Sequence, residues 1–433
     1  MARIETTGLL YPQAHCPSGL SGGPSFASRI ILAILLTSFI AATYGFGIYL
    51  FAQLVTDMRA DLNFGFSTVG IITATAQAGF LAFAMLGVWL SPRIGGSQVV
   101  VGSVALCGLC LILLPSTDNI LMIGILLVIM SGTAASVWVP MAEIVARAFA
   151  YWHRGKILGL ASSGTSYGVF INSLLVPGFV AADNWRGVWF SVGFGTLAVT
   201  LSAFLTFWRL GLFRRELEPL PAQDGGISSS WLNASAGKSR GGIPAWILVI
   251  WAITFLNGLS TLPFQNYLAP YLREELGFHV VFASQVWALI GFIGMFAGFF
   301  VGWLSDKSGV RVALLFCYIA VLLSSILLTF WPHGVIPLLS GVFFALAFYP
   351  IFGLVPAYIA KMASNKQGTA VFGVANVTLG IGGVCGNYLG GALKEATGSF
   401  ALLYFGVAAV CSILIVLSIW LPPETTGVGP PET

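Results

Sequence analysis

Residues that could carry out chemistry are scarce in this chain. The 433 residues include 19 Lys and Arg, 15 Asp and Glu, and only four His. The histidines are scattered, at His15, His153, His279 and His333. An active site needs paired acids with His, or a His and Cys cluster that holds a metal. Cys107 and Cys110 have the spacing of a metal-binding pair, but no other Cys or His lies near them. We therefore expect neither an enzyme nor a metal or cofactor site.

The composition indicates a chain whose solvent is lipid. Charged residues make up 8% of the chain, against about 25% in a typical soluble domain. Hydrophobic residues make up 57%, and the mean hydropathy is +0.92. The net charge of +4 comes with no basic run that could follow the phosphates of a nucleic acid, so we expect no nucleic-acid partner.

Long uncharged intervals predict the membrane spans. A spanning helix needs about 20 apolar residues and tolerates charge poorly at its centre. Ten intervals each hold one span, and the interval 312–360 holds two, because Trp331-Pro332-His333-Gly334 supplies a turn near its middle. The predicted fold is thus an all-α membrane protein with twelve transmembrane helices. We divide it into a tail (1–28), a six-helix bundle (29–208), a linker (209–243), a second six-helix bundle (244–421) and a second tail (422–433).

The distribution of Lys and Arg predicts the orientation. With the N-terminus inside, 15 of the 19 basic residues fall on the cytoplasmic side. We expect a multi-pass protein of the cell (inner) membrane, with both tails and the linker in the cytoplasm.

The two halves of the sequence repeat each other at an offset of 214 residues. Trp89-Leu90-Ser91 aligns with Trp303-Leu304-Ser305, Arg93 with Lys307, and Gly159 with Gly373. Several separate matches at one offset indicate two copies of the same six-helix pattern.

The loop after the eighth predicted helix carries a family motif. Residues 302–311 read Gly-Trp-Leu-Ser-Asp-Lys-Ser-Gly-Val-Arg, and this resembles the G-x-L-S-D-K/R-x-G-x-R/K loop of the major facilitator superfamily. The copy after the second helix has Pro92 in place of the Asp. The resemblance covers about residues 29–421. It implies a secondary transporter that binds a small solute between its halves and works by rocker-switch alternating access as a monomeric unit in the bilayer.

The same resemblance implies a cytoplasmic gate. Asp306 is expected to contact the start of the fifth helix, beside Arg154, and so to favour the outward-facing state. Glu143 is expected either to engage Arg93 or to form a local pair with Arg147, four residues away. The alternative for Asp306 is a solvated surface charge. The predicted gating residues are Arg93, Glu143, Arg147, Arg154, Asp306, Lys307 and Arg311.

The middle of each span lacks ionisable residues, so we expect a neutral binding cavity and no proton coupling through a central carboxylate. Uniport, exchange, or symport in which the substrate carries the proton remain open. Counting to mid-span selects the predicted substrate-binding residues Tyr44, Gln77, Thr133, Asn172, Asn257 and Tyr349. Each of them could instead bond only to a neighbouring helix.

Two runs resemble the branch of the family that contains monocarboxylate and oxalate/formate porters. They are Tyr44-Gly45-Phe46-Gly47-Ile48-Tyr49 and the start of the fifth helix, Arg154 to Gly168. That branch implies a small organic acid as substrate, but residues 281–304 lack the Arg that often grips the carboxylate there. The alternatives are an exporter of an amphipathic or neutral compound, or a non-transporting sensor or channel.

Overall fold

Twelve long apolar helices make up the fold. The computed structural model describes residues 26–149, 151–213, 243–363 and 365–424. The helices long and apolar enough to cross a membrane are α1 Ala27–Leu62, α2 Phe66–Ile94, α3 Gly96–Ser116, α4 Ile120–Ala148, α5 His153–Ala181, α6 Trp185–Arg209, α7 Ala245–Asn266, α8 Val280–Ser308, α9 Val310–Phe330, α10 Ile336–Met362, α11 Gln367–Thr397 and α12 Ala401–Trp420. Most of the predicted tails and linker, at 1–25, 214–242 and 425–433, lies outside the described residues.

The helices bury one apolar side and leave another exposed. Side chains such as Trp189 and Trp287 are fully buried between helices, whereas Leu174, Phe194 and Trp208 are more than 60% exposed. Exposed apolar side chains on this scale suit a surface in contact with lipid.

Tight turns join α2 to α3 and α8 to α9 at equivalent places in the two repeats. Gly95 and Gly309, which are 214 residues apart, have φ angles of 99° and 92°. Only glycine adopts such angles readily, so each repeat ends its second helix with the same turn.

The two halves meet mainly along two pairs of helices. α2 packs against α11, and α5 packs against α8. The second part of α1, Tyr49–Leu62, also contacts α7 and the segment Leu268–Pro270 of the other half. Glycine permits the approach of α2 to α11: a Cβ on Gly391 would lie 2.4 Å from the Phe66 carbonyl oxygen. We call the α2–α11 and α5–α8 contacts the seams between the halves.

Two cavity-side helices are irregular. α1 contains a wide turn at Ala41–Phe46 and resumes at Tyr49–Leu62. α5 has a lesser irregularity at Ser163, between Tyr151–Ser162 and Gly164–Ala181, but its path is continuous: the Ser163 N–H donates to the Gly159 carbonyl at 3.2 Å and the Ser163 carbonyl accepts from the Tyr167 N–H at 3.1 Å. Wide turns in helices are frequent at functional sites, because they turn side chains and free backbone groups.

Candidate functional site

A cavity of about 1570 Å³ lies between the two halves. Its walls come from α1, α2, α4 and α5 of the first half and from α7, α8, α10 and α11 of the second. Lining residues extend to Pro92 and Asp306, at the ends of α2 and α8. We call the face where α2 ends at Ile94 and α8 ends at Ser308 the open face. The opposite face, where α1 ends at Leu62, is the closed face.

The cavity walls are aromatic and rich in uncharged hydrogen-bonding groups. The aromatic side chains include Tyr44, Tyr49, Phe80, Trp138, Phe348, Tyr349 and Phe352, and the amides are Gln77, Gln265, Asn266, Asn376 and Asn387. Among the described lining residues the only charged one is Asp306, at the mouth. The wall thus offers hydrogen bonds and ring faces, and no cationic side chain.

Three of the six predicted binding residues line the cavity: Tyr44, Gln77 and Tyr349. The Tyr44 ring meets Phe80 edge to face, with ring centroids 6.1 Å apart. These residues remain predictions as substrate ligands, but their position allows that role.

Thr133 lies on the wrong side of α4 to reach the cavity. The lining residues of that helix are Leu127, Ser131, Ala135 and Trp138. Thr133 is two residues from Ser131, a rotation of about 200° around an α-helix. It is buried, and its hydroxyl donates to the Met130 carbonyl at 2.7 Å.

Asn172 and Asn257 are buried behind the walls. Asn172 Nδ2 donates to the Gly45 carbonyl at 2.8 Å, which satisfies a backbone group in the wide turn of α1. Asn257 lines a second pocket of about 30 Å³ behind α10 and α11, and its Oδ1 has no partner within the described residues. Asn172 therefore bonds a neighbouring helix, which is the alternative considered from the sequence for each of the six residues.

An amide group at the deep end of the cavity was not predicted. Asn266 Nδ2 donates to Asn387 Oδ1 at 2.9 Å, and Asn387 Nδ2 approaches the Thr73 carbonyl at 3.5 Å. This group connects α7 and α11 to α2 of the other half. Mid-span counting chose one residue on α7 and none on α11, and so passed over the polar end of α7, where Gln265 and Asn266 are the last two residues.

Ion pairs between the halves seal the closed face. Arg273 donates from both terminal nitrogens to Asp57, at 2.5 and 2.7 Å, and Arg59 pairs with Glu274. Arg59 and Arg273 are 214 residues apart, so each repeat supplies the same arginine to an acid of the other half. We call these two pairs the clasp.

A third carboxylate adds to this seal. Glu395 on α11 accepts hydrogen bonds from the backbone N–H groups of Phe66 at 2.9 Å and Ser67 at 3.2 Å. It therefore caps the N-terminus of α2, where a negative charge is favourable.

The predicted gating residues at the open face do not bridge the halves. Asp306 is exposed and has no ion pair or hydrogen bond within the part of the chain described. Arg154 donates to the carbonyls of Phe149 and Ala146, at 3.2 and 2.7 Å. The expected contact of Asp306 with the start of α5 is thus not made while this face is open.

The other gating residues make local contacts. Glu143 pairs with Arg147 at 2.5 Å, whereas Arg93 stacks on Trp89, with 3.9 Å from its guanidinium carbon to the ring centroid. Lys307 lies over Trp303 in the same way, at 5.2 Å. The Arg311 backbone N–H donates to Glu424 at 2.9 Å, and its side chain donates to the Ile419 carbonyl at 2.6 Å. In this conformation Glu143 thus forms the local pair.

Comparison with known proteins gives consistent matches. A model of the Major Facilitator Superfamily matches residues 35–359. The probable sulfoacetate transporter SauU of Cupriavidus necator is 25% identical over 87% of this chain and 90% of its own. The cis,cis-muconate transport protein of Acinetobacter baylyi is 22% identical over 82% of this chain and 84% of its own. The solved structure of the nucleoside transporter NupG has a TM-score of 0.67 at 13% identity, covering 90% of this chain and 99% of that one, and it supports the fold alone.

Proposed function

The chain belongs to the major facilitator superfamily, and we propose that it moves small carboxylates across a membrane by alternating access. The superfamily and its transporter relatives make it a membrane transporter of organic solutes and not an enzyme. The observation that carries the proposal is the cavity between the halves, which reaches one face while the clasp seals the other. A solute that enters from the open face meets a closed floor, as one half of a transport cycle requires.

The cycle exchanges one set of contacts between the halves for another. Opening the closed face must break the clasp and remove Glu395 from the N-terminus of α2. As the halves rock on the seams between α2 and α11 and between α5 and α8, the end of α2 approaches the second half and the end of α8 approaches the first half. Asp306 can then reach the start of α5. We infer from the excess of Lys and Arg on this side that the open face lies in the cytoplasm, and on that orientation the conformation described here is inward-facing.

The substrate class rests on two kinds of support. SauU is named for sulfoacetate and the Acinetobacter relative for muconate, and both compounds carry carboxylate groups. The cavity wall offers amide and hydroxyl groups that can donate to carboxylate oxygens. Asp306 is the only carboxylate among the described residues of the wall, which favours uniport, exchange, or symport with the substrate's own proton.

An amphipathic or neutral substrate is the second candidate. Phe80, Phe348 and Phe352 form ring faces in a wall without cationic side chains. Such a wall would accept an aromatic or amphipathic molecule by burial of apolar surface.

A stability screen in detergent tests the substrate class. Lactate, sulfoacetate and cis,cis-muconate are compared with lactamide and with an amphipathic cation, each at two pH values. A ligand of the native state stabilises it by about 2.7 kcal/mol at one hundred times its dissociation constant. Stabilisation by one or more carboxylates supports the proposal. Stabilisation by neutral or cationic compounds alone contradicts it and favours the second candidate.

A further inference from the structure

An amide at the floor of the cavity joins three helices. Asn387, on α11, lines the cavity and is 1% exposed. Its Oδ1 accepts from Asn266 Nδ2 at 2.9 Å, and its backbone carbonyl accepts from the Tyr267 hydroxyl at 2.7 Å. Asn266 is the last residue of α7 and Tyr267 follows it, so both of these short bonds hold Asn387 within the second half.

One longer bond connects Asn387 to the first half. Its Nδ2 donates to the Thr73 carbonyl of α2 at 3.5 Å. Hydrogen bonds from N–H to oxygen usually measure about 2.9–3.0 Å, so this one is weak. The amide nitrogen carries two N–H groups, and among the described residues it makes no other hydrogen bond. The weakest bond of Asn387 is therefore the one that crosses between the halves.

The partners of Asn387 fix which way its amide points. The Thr73 carbonyl can only accept a hydrogen bond, so Asn387 must turn its Nδ2 toward Thr73 and its Oδ1 toward Asn266. Asn266 must then turn its own Nδ2 toward Asn387. A donor of the second half thus faces the seam between α2 and α11, and exchanging the nitrogen and oxygen of either amide would break the chain of bonds.

Opening the closed face must break the bond between Asn387 and Thr73. The two residues lie on the same seam as the contact of Glu395 with Phe66, seven residues or about 10 Å deeper along α2. The helices touch there, because a Cβ on Gly70 would lie 3.1 Å from the Asn387 carbonyl oxygen. A movement that removes Glu395 from Phe66 therefore also separates Thr73 from Asn387.

The cost of this separation falls on Asn387 and not on Thr73. Thr73 lies inside the continuous helix Phe66–Ile94, so its carbonyl also accepts from the backbone N–H of Gln77, four residues on. Asn387 Nδ2 instead loses its partner while it is buried, and a buried donor without a partner is unfavourable. The halves therefore separate more easily when another acceptor takes the place of the Thr73 carbonyl.

A carboxylate in the cavity is a better acceptor than either the Thr73 carbonyl or a water molecule. Hydrogen bonds to an ionised acceptor are shorter than those to a neutral one and about twice as strong. Among the described residues of the wall the only carboxylate is Asp306, at the mouth, so none competes for Asn387 at the floor. An anionic substrate can thus keep Asn387 Nδ2 paired while the halves separate.

We propose that Asn387 makes this protein an exchanger. A substrate carboxylate replaces the Thr73 carbonyl as the partner of Asn387 Nδ2, so the loaded protein passes between its two conformations faster than the empty protein. This inference rests on the proposed function and specifies the mode of transport, selecting exchange over uniport and over symport with a proton.

Efflux from proteoliposomes tests the mode of transport. Vesicles are loaded with labelled lactate, sulfoacetate or cis,cis-muconate, whichever stabilises the purified protein most, and the membrane potential is clamped with potassium and valinomycin. They are diluted into buffer with or without a saturating concentration of the same compound unlabelled. Wild type should release label about tenfold faster with the compound outside, the difference expected between a hydrogen bond to a charged acceptor and one to a neutral acceptor.

Asn387→Leu should lose most of this stimulation, because it removes the donor. Asn376→Leu is the matched control on the same helix. Asn376 also lines the cavity, but its Nδ2 donates to the Phe372 carbonyl of its own helix at 3.0 Å. Its loss leaves the contact between the halves intact, so Asn376→Leu should be stimulated as wild type is.

The outcomes separate the mode of transport from the transported class. Efflux from wild type that is equal with and without the compound outside would overturn the exchanger and leave the proposed function standing. Stimulation that Asn387→Leu retains, or that Asn376→Leu loses equally, would overturn it in the same way. If wild type releases none of the three carboxylates, the exchanger and the proposed function fall together.

Asn387→Ala gives a second readout if Asn387→Leu does not fold, because it removes the amide without adding bulk. Its efflux into buffer without the compound should equal or exceed that of wild type, since the empty protein no longer has to leave a donor unpaired. Its stimulated efflux should be slower than that of wild type. A merely structural role of Asn387 would lower both rates by the same factor and keep the stimulation, which would contradict the proposal.

Discussion

Glu275 joins the closed-face ends of α7, α11 and α12. Its carboxylate accepts hydrogen bonds from Lys394 at 2.8 Å, from the Ser399 hydroxyl at 2.5 Å and from the Phe400 N–H at 2.6 Å. Burial alone would raise the pKa of this carboxyl, but Lys394 and the two other donors outweigh it and hold the pKa below its ordinary value.

Ionised Glu275 therefore stabilises the fold above the ordinary carboxyl pKa, and the effect is lost as the pH falls through the lowered folded-state pKa. Glu275→Gln should cost about 1–2 kcal/mol near neutral pH, with the difference disappearing in acid. Thermal unfolding in detergent over a pH series measures this. Asp118→Asn, which removes a highly exposed carboxylate, is the control and should change little. An equal deficit for Glu275→Gln at all pH values would contradict the assignment.

Cavity-lining side chains should affect binding, and buried ones near them should not. Gln77→Leu removes hydrogen-bonding groups from the wall and should weaken carboxylate binding by about 1 kcal/mol or more. Thr133→Val should leave affinity unchanged, because the Thr133 hydroxyl is used by the Met130 carbonyl. Titration of both variants with the best-binding carboxylate compares them. Equal losses in the two variants would show that the cavity wall does not define the site.

The sequence predicts that the cavity wall is uncharged more reliably than it predicts which residues line the wall. The sequence shows directly that the middle of each span lacks ionisable residues, and the described residues of the wall are correspondingly uncharged apart from Asp306. Mid-span counting ignores the rotational phase of a helix, so it could not separate Ser131 from Thr133. Asn172 donates a hydrogen bond to a carbonyl in the wide turn of α1. The local sequence Ala-Ala-Thr-Tyr-Gly-Phe does not predict that turn, so the role of Asn172 could not be predicted either.

At the scale of elements, the clasp should control which face is open. The side chains of Asp57 and Arg273 are 15% and 14% exposed, so loss of one partner leaves a poorly solvated charge. Arg273→Gln should shift the population by about 1–3 kcal/mol toward the state that opens the closed face. Thr73→Cys at the cavity floor, in a background without other accessible cysteines, reports this through labelling by an impermeant maleimide from the closed-face side.

Arg186→Gln is the matched control for the clasp. Arg186 pairs with Asp61 and Asp118 within the first half, so its loss should leave labelling from the closed-face side unchanged. Equal labelling in the Arg273→Gln and Arg186→Gln variants would show that the clasp does not hold the halves.

Asp306 should act in the opposite direction from the clasp. If its contact with the start of α5 forms when the open face closes, Asp306→Asn should favour the conformation described here and reduce labelling of Thr73→Cys from the closed-face side. The expected change is about 0.5–1 kcal/mol, as for a charge at a helix N-terminus. Unchanged labelling from both sides would leave Asp306 as a solvated surface charge.

The helices are the part of the structure that sequence predicts best. Charge is excluded from the centre of a span, so uncharged intervals mark twelve helices, and twelve are observed among the described residues. The wide turn in α1 could not be predicted, because contacts between helices, such as that of Gly45 with Gly168, determine where it forms.

At the scale of the whole molecule, the repeat offset of 214 predicts two related halves but not which face is open. The same sequence adopts the conformation open at one face and the conformation open at the other. The relative populations of the two depend on the contacts between the halves. The reciprocal pairing of Arg59 and Arg273 becomes visible only when the halves are placed together. The cavity is less symmetric than the repeat, since the wide turn of α1 has no equivalent in α7.

Counterflow in proteoliposomes tests the central claim most directly. Vesicles loaded with an unlabelled carboxylate that stabilises the purified protein are diluted into a trace of the labelled compound. An alternating-access carrier should accumulate label transiently above equilibrium, with an initial rate that saturates as the external concentration rises. Flux that rises linearly without counterflow, or no flux of any carboxylate that binds, would contradict the account.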